Sequence, residues 1–467
     1  MRYVTSVPPV PRRLASAVAL AVAMLALLAG GLPAQQGRGP GRGMSWSEPP
    51  ASQAAVGYAA DAFKAVRGGV DGDPAALGNL DLLLHLHLDA LPGFRRTQLR
   101  VQVQSSHGES VSSRVGDLQG VSNLEAPDGW RLYEVWIQRQ ILRPGLSVLA
   151  GIYDLNSEFD VVPGAGDFLN GSFGFGPEYG LSGRAGPSTY PSTGLAARIR
   201  AQVTPSFYAL LGASDAVPEG SGSRRLDLGL DDGALVSFEA GYARSIPDWT
   251  SPFRSDPAGG AWRREQPGRG RRAGSLEPPR FGQRRRQAGR GRFLEEVSAK
   301  VAVGGWAYTR RLPSMDPEAS PCRSWGAYLL GEKLLRARPD GTGTLTAFAR
   351  VGTAAEDANQ LDLFMGGGLA YGGPLPCRPD DAVGLGVAHA RNGSPYLRAQ
   401  REAGTPREKS ETVVELTYRA QLGDFLVIQP DLQWVQNPGM DPERTHALVF
   451  GLRGHLLLEL PLTRVNP

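Results

Sequence analysis

Three residues at alternate positions, Glu134, Trp136 and Gln138, supply a carboxylate, an indole ring and an amide. Side chains two residues apart on an extended strand point to the same face, so these groups would form one continuous surface. Carboxylates and amides hydrogen-bond to hydroxyl groups, and an aromatic ring packs on apolar C–H groups. The three residues are therefore the first candidates for a solute-binding surface. The alternative is that Trp136 belongs to a band of aromatic residues at a membrane interface.

Further ionisable residues recur in alternating segments, and we predict that they line the same surface. His85 and His87 share one strand face, a spacing that can hold Zn²⁺. No third His or Cys lies on a recognisably adjacent strand, so we expect this pair to line the surface and predict neither a metal nor another cofactor. The remaining candidates are Asp81, Arg100, Arg198, Arg200 and Asp431, together with Glu158 and Asp160 in a long connecting segment.

The alternation predicts strands. In residues 79–89 Leu occupies every even position, and polar residues occupy every odd position except that of Leu83. About sixteen such segments follow one another, separated by clusters of Gly, Pro, Asp and Asn. After the N-terminal region no apolar run approaches the ~20 residues that a membrane-spanning helix needs. Because the polar faces are numerous and charged, they suit a watery lumen, and the predicted fold is all-β: an antiparallel transmembrane β-barrel over residues 54–458.

Two long segments interrupt the strands. Residues 154–192 contain four phenylalanines and are too apolar for a fully exposed loop. We predict that this segment folds inward and constricts the lumen, with a subunit contact as the alternative. Residues 246–295 are rich in Arg, Gly and Pro, and we predict that this insert is disordered.

The chain ends also carry signals. Arg12 and Arg13 precede an apolar stretch and small residues up to Ala34, so residues 1–34 are predicted to be a signal peptide, 35–53 a flexible leader and 459–467 a C-terminal tail. The net charge of +4 and the pI of about 9.1 could indicate a nucleic-acid partner. The basic excess, however, is concentrated in the Arg-rich insert, so we expect no nucleic-acid partner.

The two cysteines, Cys322 and Cys377, are separated by three predicted strands. An odd number of crossings places them on opposite sides of an apolar band of about 25 Å, whereas the Cα atoms of a disulfide lie within about 7 Å. We therefore predict that both thiols are free, with Cys322 facing outside and Cys377 facing the periplasm.

From about Gly57 to Leu458 the chain resembles the carbohydrate-selective porin family (OprB type). The matching strings are GNLDLLLHLHLD (78–89), VGDLQGVSN (115–123), RLYEVWIQR (131–139), GIYDLNSEFD (151–160), FARVG (348–352), CRPDDAVGLGVAHAR (377–391) and IQPDLQWVQNPG (428–439). The resemblance implies a sixteen-stranded barrel of the bacterial outer membrane whose narrowed pore passes monosaccharides such as glucose without a cofactor or energy source. Small sugars would be its solutes, outer-membrane lipid and lipopolysaccharide its surroundings, and a homo-oligomer is a further expectation.

Two other functions remain open. One is a general or ion-selective diffusion porin without a sugar preference. The other is an outer-membrane hydrolase, but the sequence has no GxSxG motif and its six histidines are scattered. We therefore expect a channel and not an enzyme.

Overall fold

The computed structural model describes residues 52–142, 145–218, 232–244, 299–338, 343–423 and 425–462. These residues all belong to one compact unit, Ala51–Pro467. The predicted signal peptide, nearly all of the leader and the Arg-rich insert lie outside the described residues.

The described residues form a closed barrel of sixteen antiparallel strands, each paired with its neighbours in sequence, and β1 closes the barrel on β16. The fold class predicted from the alternation is therefore confirmed. The strands are β1 Gln53–Arg67, β2 Ala75–His87, β3 Thr97–Gly108, β4 Gly129–Leu142, β5 Leu146–Tyr153, β6 Gly194–Gln202, β7 Phe207–Asp215, β8 Ala234–Arg244, β9 Ala299–Leu312, β10 Cys322–Ala337, β11 Thr344–Ala354, β12 Leu361–Gly372, β13 Ala382–Asn392, β14 Ser410–Leu422, β15 Leu426–Gln436 and β16 Ala447–Pro461.

The closing strand shows how the alternation builds the barrel. Leu452, Leu456 and Leu458 of β16 are exposed on the outside, whereas Arg453 points inward and is buried. In register with Arg453 lies Asp61 of β1, and their side chains form an ion pair at 2.7 Å. The alternation continues beyond residue 458, so β16 extends to Pro461, which pairs with Gln53. The barrel therefore includes three residues that the sequence pattern suggested for the tail.

Long connections lie at one end of the barrel. They include residues 109–128 with helix α1 (Val111–Val115), residues 154–193 with α2 (Gly171–Gly174) and α3 (Pro177–Gly180), and residues 393–409 with α4 (Ser394–Glu402). The opposite end has short turns such as 203–206. In bacterial outer-membrane barrels the long loops face outside, which orients the chain. None of the helices in the described part is long and apolar enough to cross a membrane.

Both cysteines are free. Cys322 begins β10 at the end with the long loops, and Cys377 lies in the turn between β12 and β13 at the other end. The predicted absence of a disulfide is thus confirmed, for the topological reason given by the strand count.

Candidate solute-binding site in the lumen

The segment between β5 and β6, residues 154–193, folds into the barrel, and we call it the crossing loop. Its first residue, Asp154, accepts hydrogen bonds from the backbone N–H of Asn156 at 2.9 Å and from the hydroxyl of Tyr133 at 2.5 Å. Burial and the neighbouring Glu134 carboxylate raise the pKa of Asp154 to about 7. The loop therefore begins with a carboxyl group that titrates near neutral pH.

Arg350 of β11 ties the crossing loop to the wall of the barrel. Its guanidinium lies 2.6 Å from the Asp160 carboxylate and 2.7 Å from the Glu178 carboxylate. Both carboxylates are completely shielded from solvent, and the guanidinium also lies over the rings of Tyr328 and Phe364. Because one buried guanidinium pairs with two loop carboxylates, Arg350 is a central anchor of the loop.

Aromatic residues of the crossing loop fill the lumen beside β13. The rings of Phe168 and Phe173 lie 4.5 Å apart between centroids. A Cβ atom at Gly384 would lie 2.9 Å from Phe168, and one at Gly386 would lie 2.7 Å from Phe173. The two glycines therefore leave the space that the rings occupy, which explains why a loop so rich in phenylalanine is not exposed.

The loop reaches β14 on its far side. There the Glu415 carboxylate accepts the backbone N–H groups of Leu169 at 2.6 Å and Asn170 at 3.0 Å. Arg419, four residues further along the same face of β14, lies 2.8 Å from the carboxylate of Asp167. Two successive backbone N–H groups of the loop thus donate to one side chain of β14. The crossing loop is thus held at both sides of the lumen.

A second segment, residues 109–128, also folds inward, and we call it the inner loop. The Glu411 carboxylate of β14 accepts the N–H groups of Leu118 at 2.9 Å and Gln119 at 3.0 Å. This arrangement repeats that of Glu415 four residues earlier on the same face of the strand. Strand β14 therefore binds both loops, the inner loop through Glu411 and the crossing loop through Glu415.

The two loops are joined directly. The N–H of Asn123 donates to the carbonyl of Leu169 at 2.7 Å, and the N–H of Gly171 donates to the carbonyl of Gly120 at 2.8 Å. Together they form one partition inside the barrel. Sequence reasoning predicted the inward fold of 154–192 but did not assign the inner loop to the lumen.

Polar side chains line the wall formed by β2, β3 and β4. Arg100 lies 2.6 Å from the Glu134 carboxylate and donates to Gln102 at 2.5 Å, which in turn donates to Asp81 at 2.8 Å. The indole N–H of Trp136 donates to Glu134 at 3.2 Å. Since the Trp136 ring is held beside a carboxylate and a guanidinium on the inner face, the membrane-interface alternative for this residue is wrong.

The same surface continues across β4, β5 and β6. Arg198 donates to Gln138 at 2.5 Å and lies 2.5 Å from the Glu158 carboxylate of the crossing loop, with Arg200 at 3.5 Å from that carboxylate. Burial acts to raise the pKa of Glu158, but the two guanidinium groups outweigh it and the net shift is downward. We call the combined surface the polar belt; its members are Asp81, Arg100, Glu134, Trp136, Gln138, Arg198, Arg200 and Glu158.

His85 and His87 border the belt. The His85 ring meets the Trp136 ring edge-on at 6.0 Å between centroids. The centroid of the His87 ring lies 5.1 Å from that of the His85 ring. Among the described residues no group of three His, Cys, Asp or Glu could hold a metal ion. The histidines extend the aromatic surface next to Trp136.

Two predicted site residues lie away from the belt. Asp160 is bound to Arg350, and Asp431 of β15 accepts a hydrogen bond from Gln433 at 2.9 Å. Asp431 points inward from the wall and Asp160 belongs to the crossing loop, so both lie in the part of the lumen that the loops occupy. Asp89, another polar residue of the alternating segment 79–89, is exposed in the turn after β2 because that strand ends at His87.

Comparison with protein families identifies the chain. The model of the carbohydrate-selective porin family (OprB) matches residues 71–457. The chain belongs to the carbohydrate-selective porin (OprB) family.

Relatives and solved structures agree with this assignment. Porin B of Pseudomonas aeruginosa is 23% identical over 422 residues, which cover 85% of each chain. The high-pH structure of Pseudomonas putida OprB has a TM-score of 0.70 at 19% identity, covering 87% of this chain and 94% of that one. The low-pH structure of the same protein has a TM-score of 0.50 at 16% identity, covering 87% and 93%.

For a carbohydrate-selective porin the location is the bacterial outer membrane, which confirms the predicted localisation. Family and fold indicate a channel and not an enzyme.

The sequence contained a signal for one anchor, Arg350, that reasoning from the residues missed. In the string FARVG, Phe348, Arg350 and Gly352 alternate on one face, and all three point inward and are buried.

Proposed function

We propose that this porin passes monosaccharides such as glucose by passive diffusion, and that the polar belt is where they bind during passage. The observation that carries the proposal is the line of groups from Arg100 through Glu134 and Trp136 to Gln138 and Arg198. The Trp136 ring is partly exposed, whereas the charged groups beside it are buried, so a small solute would contact the ring first and then the donors and acceptors next to it. Binding must remain weak enough for the solute to leave, as in other selective pores.

The charge pattern of the belt favours a neutral solute. Arg100 is paired with Glu134, and Arg198 with Glu158, so groups of both signs lie side by side. A sugar can donate to the carboxylates and accept from the guanidinium groups at the same time. An ion is attracted by one group and repelled by its neighbour, so it gains less from the same surface.

One observation favours a second candidate, an anion preference. Arg198 and Arg200 share the single carboxylate of Glu158. Two guanidinium groups at one place would attract anions at low ionic strength, where screening is weak.

Liposome swelling separates the two candidates. Proteoliposomes containing the full chain are diluted into isotonic glucose, gluconate or arginine without added salt, so that charges in the pore are weakly screened. The sugar proposal predicts faster swelling with glucose than with either ion. Faster swelling with gluconate would support the anion preference, and equal rates for all three solutes would refute any selectivity.

The Trp136→Ala variant tests the ring surface. It removes the stacking face but leaves the barrel wall, so glucose should block the ion current several-fold less well while the unblocked conductance is kept. Trp434→Ala is the matched control, because Trp434 is a tryptophan on the outer face of β15 with 38% exposure. An equal loss of block in both variants would exclude a direct role for Trp136.

A further inference from the structure

A group of arginines lies on the outer surface of the barrel at the end with the long loops. Arg311 of β9 and Arg323 of β10 are directly opposite each other in the strand register, and both are exposed, as is the adjacent Arg310. Like charges directly opposite on neighbouring strands are destabilising. Such a pair is therefore unfavourable unless an anion lies between the two side chains.

Among the described carboxylates, Asp232 lines a pocket with Arg310 and Arg311, but its ion pair is with Arg184 at 3.1 Å. In the described part of the chain no carboxylate forms an ion pair with Arg311 or Arg323, and the hydrogen bond given for Arg311 goes to the carbonyl of Pro321 at 3.2 Å. Glu318 lies in the same β9–β10 connection, is exposed and forms no ion pair with either arginine. The two guanidinium groups are thus available to an external ligand.

An irregularity in the strand pairing concentrates the charge here. Arg323 pairs with Arg311, but Trp325 pairs with Ala307, so β9 contains two more residues than β10 over this interval. A bulge of this kind redirects side chains. Arg310, the residue next to Arg311, is also exposed, which adds a third guanidinium group to this part of the rim.

The position of Trp325 sets the depth of this group in the membrane. Trp325 and Leu335 of β10 are 51% and 55% exposed. The ten residue steps from Trp325 to Leu335 span about 26 Å across the membrane at a rise of ~3.4 Å and a tilt of ~40°, which matches an apolar band of about 25 Å. Tryptophan marks the interface, so Arg323 lies just outside the apolar band, in the headgroup layer of the outer leaflet.

The surface below the arginines is apolar. Val301 and Val303 of β9 and Phe238 of β8 are each about half exposed on the same side of the barrel. Acyl chains can pack along these residues while a phosphate group reaches the guanidinium groups above them. Arginine binds phosphate through two parallel hydrogen bonds, which a lysine cannot do.

We propose that Arg311 and Arg323, with Arg310 beside them, bind the phosphate of a phosphorylated glycolipid of the outer leaflet, such as the lipid A portion of lipopolysaccharide. This site is on the outside of the barrel and is independent of the sugar path. It attaches one lipid to the β9–β10 edge of the porin.

Native mass spectrometry of the purified full chain with bisphosphorylated lipid A tests the proposal. The Arg311→Gln/Arg323→Gln double variant should bind this lipid at least tenfold more weakly than the wild type. The matched control is Arg139→Gln/Arg336→Gln, which removes two exposed arginines near the opposite end of β4 and β10 and should bind as the wild type does. Retention of glucose flux by each variant shows that the barrel has folded.

Two further arms identify the ligand chemistry. Enzymatically dephosphorylated lipid A should bind weakly and equally to the wild type and to the double variant. Inorganic phosphate at ten times the lipid concentration should not displace the lipid. Equal binding of bisphosphorylated lipid A by the wild type and the double variant would overturn the proposal, and displacement by inorganic phosphate would indicate a site for the free anion.

Discussion

Replacing Arg350 with glutamine should release the crossing loop and raise the conductance of the pore. Arg350 forms ion pairs with Asp160 and Glu178 at 2.6 and 2.7 Å, and both carboxylates are fully buried. Removing one partner of a buried ion pair costs about 3–5 kcal/mol, because a charge is left buried without compensation. Since every 1.4 kcal/mol is a factor of ten, the ratio of docked to undocked loop should fall by roughly two to three orders of magnitude or more.

Single-channel recordings in planar bilayers measure this effect. Arg350→Gln should show frequent or permanent openings of higher conductance than the wild type. Arg391→Gln is the matched control, because Arg391 is 43% exposed and pairs with Asp362 on the barrel wall, an exposed ion pair worth about 0–1 kcal/mol. Its conductance should equal that of the wild type.

A rescue variant separates loop release from misfolding. In the Arg350→Gln background, the additional changes Asp160→Asn and Glu178→Gln remove the uncompensated charges. They should bring the single-channel conductance most of the way back to the wild-type value. Unchanged conductance in Arg350→Gln, or a high conductance that the added changes fail to reduce, would refute the role assigned to this anchor.

Three further predictions follow from the same structure. Because the pKa of Asp154 is raised to about 7 from about 3.9 in an unfolded chain, the folded state binds more protons between these values, so stability should fall as the pH rises from about 4 to 7. Thermal unfolding in detergent should show a higher midpoint at pH 6 than at pH 8, and Asp154→Asn should reduce that difference; no change would contradict the assignment. Deleting residues 165–174 from the crossing loop should raise ion conductance and reduce the preference for glucose over gluconate, whereas an unchanged conductance would place the narrowest point elsewhere. An impermeant maleimide applied to intact cells should label Cys322 and leave Cys377 unlabelled, and labelling of both would contradict the strand topology.

The barrel could be predicted from the sequence because it depends on a local pattern, the alternation of apolar and polar residues along each strand. The regular leucines at positions 80–88 fix which side of β2 faces the membrane, and the same pattern placed Glu134, Trp136 and Gln138 on one inner face. The end of a strand is less certain, since alternation can continue into a turn. Asp89 continues the pattern of its segment, but β2 ends two residues earlier at His87.

The inward fold of the crossing loop could be predicted from composition, because four phenylalanines in one connection need an apolar surface. The inner loop has no such cluster of aromatic residues. It is held instead by its backbone N–H groups, which contact Glu411 almost three hundred residues away. Backbone groups carry no sequence signal, so the contacts of β14 with the two loops could not be read from a single sequence. The pairing of Arg350 with Glu178 could not be read either, because it joins side chains 172 residues apart.

The most direct test of the central claim is glucose block of the single-channel current in the wild-type porin. Glucose bound at the polar belt lies in the path of the ions, so the mean current should fall with glucose concentration and saturate. Gluconate and arginine at the same concentration and high ionic strength should block less. A current that falls linearly with glucose, by no more than the accompanying change in solution conductivity, would contradict sugar binding in the pore.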